Sequence, residues 1–184
     1  MKKRFKITTF LKAVMLLGIF GMYACNFSVS SGNATADNLK EVSQSKEKIR
    51  NGITVEDFGG LKVESAFLML ESGELVSDEN TLKPDEKFKL VLKISGWKAE
   101  NGKVQVGAME QVHDASRPIP LEGEDLFAGS TGLSEEDAQI ISLKMGIPEA
   151  SAVYEVYQTD FKVWNKSAEQ YVSGNYRFKI DKNK

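Results

Sequence analysis

From Gly60 onward, apolar and polar positions alternate with the period of two that marks β-strands, and turn residues cut the alternation into short segments. The cleanest is Lys87–Ile94, KFKLVLKI, where Phe88, Leu90, Leu92 and Ile94 share one face and Lys87, Lys89 and Lys93 the other. That pattern predicts one buried and one wet face. Leu61–Leu70, LKVESAFLML, ends at the turn Glu71-Ser72-Gly73. Asn101-Gly102 is a two-residue hairpin signal, so Lys87–Trp97 and Lys103–Val112 are predicted to pair. Further on, Ile141, Leu143, Met145 and Ile147 alternate up to Pro148, and Val153–Trp164 and Tyr171–Ile180 form the last two segments, with Tyr176, Phe178 and Ile180 on one side.

Two stretches break the alternation. Asp114–Gly132 contains Pro118 and Pro120, which cannot donate to a sheet ladder, and reads as a long loop. Ser134-Glu135-Glu136-Asp137 has the form of a capping box and predicts one short helix near 134–139. About seven strands with turns at short intervals and no long helix between them predict a mainly β protein, an antiparallel immunoglobulin-like β-sandwich spanning 60–184. That part contains no cysteine, so its core must hold by packing, without a disulfide or thiolate-bound zinc.

The first 24 residues have another character. Lys2, Lys3, Arg4, Lys6 and Lys12 precede the uncharged apolar run Ala13–Ala24, which is the length of a signal h-region and short of the ~20 residues a membrane-spanning helix needs. At its end Ala24-Cys25 has the form of a lipobox, so 1–24 is expected to be a lipoprotein signal peptide and Cys25 the lipidated N-terminus. The alternative cut follows Ala34-Thr35-Ala36 and gives a secreted or periplasmic soluble product. Residues 25–59 are polar and read as a tether, with a thin apolar stripe, Leu39, Val42 and Ile49, that suits a short helix. Anchoring through acyl chains puts the protein on a membrane without spanning it, and Asn26 after the cysteine points to an outer membrane.

Charge narrows the partners. All five leader charges are basic, so the 24 basic and 26 acidic residues of the whole chain become 19 and 26 from Cys25 on, a net −7. A basic footprint for nucleic acid is missing. His113, the single histidine, stands beside Asp114 and near Ser116, too close in sequence for a triad; it reads as an exposed loop residue, and no catalytic residue is assigned. Glu122, Glu124 and Asp125 are the candidates for a hard cation. No phosphate loop or zinc spacing is present in the sequence, and no cofactor is expected. Trp97, Tyr154 and Trp164 are the candidate ligand-binding residues, since flat aromatic faces stack on sugar rings; Tyr157, Tyr171 and Tyr176 extend that set, while the alternative use of all six is to fill strands and core.

Leader, lipobox, tether and a single β domain, together with Gly96–Val104 (GWKAENGKV), Asp125–Phe127 (DLF), Phe161–Lys166 (FKVWNK) and Ser173–Ile180 (SGNYRFKI), resemble the envelope lipoproteins common in Bacteroidetes-type bacteria. In such modules an Asp often follows the Trp of the penultimate strand; here Asn165 stands there. The resemblance implies location and fold. The function expected is a non-enzymatic, lipid-anchored envelope protein that binds a protein or glycan partner; the alternatives are an accessory carbohydrate-binding lipoprotein and a small hydrolase.

Overall fold

The computed structural model describes residues 33–44 and 48–183. Cys25 and the leader lie outside them. The described chain is mainly β: ten strands, most of them antiparallel, with two α-helices. One sheet has the order β2 (Lys62–Leu70), β4 (Lys87–Ser95), β8 (Ile140–Gly146). The larger has the order β1 (Thr54–Phe58), β10 (Gln170–Ile180), β9 (Tyr157–Asn165), β6 (Val106–Asp114), and the short β3 (Thr81–Leu82) runs parallel to the end of β10. A two-stranded patch joins β5 (Lys103–Val104) to β7 (Leu133–Ser134).

The alternation does what its period requires. Phe88, Leu90, Leu92 and Ile94 of the smaller sheet and Phe161, Val163, Val172, Tyr176 and Phe178 of the larger are buried in one core cluster. Phe88 meets Phe178 edge-to-face at 5.2 Å and Tyr176 at 6.5 Å, so the two sheets share an aromatic seam.

On the other face of β4, Lys87 is exposed and Lys93 partly so, as expected, but the expectation of a wet side is corrected at Lys89. Val91, on the same face, is fully buried because helix α1 (Asn33–Gln44) lies over it, and Lys89 is 7% exposed. Leu39 and Val42 of α1 pack on Phe67, Met69 and Val91, and Asn38 Nδ2 donates to Gly73 O at 2.7 Å. Burial lowers the Lys89 pKa, helped by Lys144 beside it and opposed by Glu71. The packed part of the chain thus reaches upstream of Gly60, through β1 and α1.

The hairpin expected across Asn101-Gly102 is also corrected. The turn itself forms, with Asn101 and Gly102 at φ 53° and 74° and reciprocal backbone bonds between Glu100 and Lys103. Its arms do not pair, however: β4 belongs to the smaller sheet and β6 to the larger, so the turn sits on a crossover. A buried amide fixes that crossover. Gln170 Nε2 donates to Gly59 O and Gly96 O (3.1 and 2.8 Å), while its Oε1 accepts from Lys98 N and Asn165 Nδ2 (2.8 and 3.1 Å). Asn165 Nδ2 also donates to Lys98 O at 2.8 Å, which an aspartate at that position could not do.

The short helix near 134–139 forms as α2 (Glu135–Ala138), with Ser134 Oγ accepting from Asp137 N at 3.0 Å. No helix among the described residues is long and apolar enough to cross a membrane.

Candidate functional site

The ladder registers define which side chains share the outer face of the larger sheet. Phe58, Tyr171, Trp164 and Gly107 form one row; Glu56, Ser173, Lys162 and Met109 the next; Thr54, Asn175, Asp160 and Gln111 the third; Arg177, Gln158 and His113 a fourth. Over the second and third rows lies a groove of about 480 Å³. Its floor is polar (Gln158, Asp160, Ser173 and Asn175), its lip is the edge strand β1 through Thr54 and Glu56, and one wall is aliphatic (Pro118, Ile119 and Leu121). That wall belongs to the long proline-containing loop. Glu122 N donating to Gln111 Oε1 at 2.9 Å and Leu126 N donating to Ala108 O at 2.7 Å hold the loop against β6. The groove has the volume of a ligand site, but it is open and half of its lining residues are polar, unlike the mostly apolar pockets that enclose small molecules.

A hydrogen-bonded chain runs along the floor. Arg177 Nε donates to Gln158 Oε1 (3.1 Å), Gln158 Nε2 to Asp160 Oδ1 (3.0 Å), and His113 Nε2 meets Asp160 Oδ2 at 2.7 Å. His113 Nδ1 lies 2.9 Å from Asp114 O. Both ring nitrogens therefore face acceptors, an arrangement that only the doubly protonated imidazolium satisfies. Burial opposes that charge, but the Asp160 and Asp114 bonds outweigh it and raise the His113 pKa. The expectation of an exposed loop histidine is thus corrected: His113 is buried at the end of β6, because a carboxylate on the neighbouring strand receives it. Ser116 Oγ donates instead to Asp114 Oδ2 at 2.8 Å.

The predicted ligand-binding residues are not gathered into one platform. Trp97 is half-buried against the core, its Nε1 enclosed without a hydrogen-bond partner. Tyr154, 46% exposed, sits before β9 and meets Tyr157 edge-to-face at 5.3 Å, whereas Trp164 lies at the far end of that strand, ~23 Å beyond Tyr157 at the usual rise. Trp164 covers Gly107 so closely that a Cβ there would come 2.3 Å from its ring. Tyr171 has both faces occupied, by Phe58 stacked at 5.1 Å and by the Lys162 ammonium 4.7 Å from its centroid. Tyr157 and Tyr176 are buried.

Among the cation candidates, Asp125 is already engaged. It pairs with Lys166 Nζ at 2.5 Å and accepts from the amides of Ala108 and Phe127, at 3.0 and 2.9 Å. Burial works against its ionisation, yet Lys166 and the two amides prevail and hold its pKa low. Glu122 and Glu124 are exposed, and no group of three potential ligands converges among the described residues.

Glu110 is the residue that sequence reading missed. It occupies an inward position of β6, in register with Phe161; Oε1 accepts from Tyr176 Oη at 3.0 Å and Oε2 is enclosed without a partner. The residue is half-buried as a whole, but its carboxyl is shut in, and burial raises its pKa to about 8 despite the tyrosine bond. The signal was in the parity: Val106, Ala108, Glu110 and Val112 share one side of the strand.

No protein-family model matches the chain, and comparison with curated proteins finds none similar to it.

Proposed function

We propose that the chain is a lipid-anchored envelope protein, held at an outer membrane through Cys25, whose non-enzymatic domain binds a protein or glycan partner on the outer face of its larger sheet. The groove bounded by β1, the Gln158–Asp160 floor and the 118–121 wall is the observation that carries this reading. An immunoglobulin-like sandwich is the fold reading that goes with it, supported by two antiparallel sheets that share one core. Helix α1 favours the cut at Cys25 over the one after Ala36, since the latter removes the first turn of a helix that packs on the smaller sheet. The resemblance to envelope lipoproteins agrees with that address. The accessory carbohydrate-binding alternative has less support, because Trp97, Tyr154 and Trp164 stand apart and both faces of Tyr171 are taken.

The test uses the mature protein and a Ser173→Trp variant that fills the groove, each immobilised and exposed to envelope extract and to surface glycans. Retention by the wild type and its loss in the variant is the expected result; equal retention, or none, sinks the reading. Intact-mass measurement tests the anchor separately: an unlipidated product beginning at Asp37 overturns it.

A further inference from the structure

The groove has a charge character that its location alone does not give. Its lining contains two carboxylates, Glu56 on the lip and Asp160 in the floor, and no lysine or arginine. They stand on strands two apart, ~10 Å across the sheet at the usual spacing, so they flank the floor. Both oxygens of Asp160 are already engaged, by His113 and Gln158, so Glu56, exposed to solvent, is the carboxylate that gives the groove its free charge.

Chemistry on the other walls separates ligand classes. The wall is aliphatic, with Ile119 40% exposed, and the one aromatic ring in the lining, Phe161, is fully buried. Nothing there offers a flat face for a sugar ring, whereas an aliphatic wall suits the alternate side chains of an extended polypeptide. The lip is an edge strand: β1 pairs with β10 on one side only, which leaves a row of main-chain groups turned outward at Thr54–Phe58. An extended segment laid beside such an edge gains main-chain hydrogen bonds, and pockets for alternate residues set its specificity.

Resting on the reading of this face as the binding surface, we infer that the groove takes an extended segment of a partner polypeptide bearing a lysine or arginine. Its main chain lies along β1, an aliphatic side chain packs on Pro118, Ile119 and Leu121, and its cation meets Glu56. Glu56 supplies the attraction, because it is exposed, whereas the Asp160 carboxylate is already answered by His113.

The experiment selects binders to the mature protein from a pool of randomised peptides and, in parallel, measures a set of neutral hexasaccharides. Enrichment of sequences that combine Lys or Arg with aliphatic residues is expected, with binding weakened about tenfold by Glu56→Lys and unchanged by Glu124→Lys, a charge reversal away from the groove. No enrichment, or enrichment indifferent to Glu56→Lys, overturns the inference. A hexasaccharide that binds and is displaced by Ser173→Trp also overturns it, yet leaves the groove as the binding surface. Peptide and sugar both failing while Ser173→Trp still abolishes retention of an envelope component sinks only the polypeptide assignment; if that retention fails as well, the underlying reading falls with it.

Discussion

Glu110→Gln isolates the buried carboxyl between the sheets. In the folded protein Glu110 titrates near 8, against an ordinary value of 4.5, because its carboxyl is enclosed and only Tyr176 Oη reaches it. The folded state therefore holds a proton that the unfolded chain releases, and stability falls as pH rises from 4.5 through 8. At ~1.4 kcal/mol per pH unit, the loss is about 3 kcal/mol at pH 7 and about 5 kcal/mol once the folded carboxyl has ionised. Glutamine keeps the volume and an acceptor for Tyr176 but does not titrate. It buries an amide whose N–H groups lack a partner, which costs roughly 1–3 kcal/mol at every pH. Thermal melts from pH 5 to 9 should thus cross: the variant is the less stable at pH 5 and the more stable at pH 9, with a change in relative Tm of about 10 °C. His113 contributes a slope of the same sign, its stabilisation being complete below the unfolded value of 6.5 and lost as pH rises through its higher folded pKa. It is present in both proteins, so only the difference between melts reports Glu110. Parallel melting curves would refute the placement of an ionisable carboxyl in the core.

Two packing predictions follow. Gly107→Ala forces a methyl into the Trp164 ring and should destabilise the protein by about 1–3 kcal/mol with a changed tryptophan fluorescence spectrum; an unshifted denaturant midpoint would show that Trp164 does not lie on that glycine. Gln170→Ala removes the amide that joins Gly59, Gly96, Lys98 and Asn165 and should cost about 3–5 kcal/mol in urea unfolding, whereas Glu169→Ala, an exposed neighbour, should cost under about 0.5 kcal/mol.

Strand identity was legible wherever alternation was strict, because a period of two directly reports which side chains face the core. Lys87–Ile94, Ile141–Met145 and Tyr176–Ile180 show this, and the Ser134 capping box likewise named its own one-turn helix. Pairing was less legible. Asn101-Gly102 specifies a turn but not which sheet each arm joins; that is decided by Gln170, distant in sequence, which ties the Gly96–Lys98 crossover to the larger sheet. The burial of Val91 on the face expected to be wet was hidden for a similar reason, since two apolar residues of α1 suffice to cover it and their stripe was thin. At the site, the sequence offered aromatic residues and a lone histidine. It could not show that Tyr171 is closed between Phe58 and Lys162, or that Asp160 receives His113, because both arrangements are made by register between strands.

These same registers explain why the groove lies where it does. The smaller sheet spends its outer face on α1, whose Leu39 and Val42 cover Phe67, Met69 and Val91. Among the described residues no helix covers the larger sheet, and beyond its aromatic row of Phe58, Tyr171 and Trp164 the outward rows at Asp160 and Gln158 carry ordered polar side chains. Gln158 and Asp160 are held by Arg177 and His113, so a ligand on this floor would cost little side-chain freedom. The proline loop, fixed at Gln111 and Ala108, then supplies the apolar wall that a flat sheet lacks.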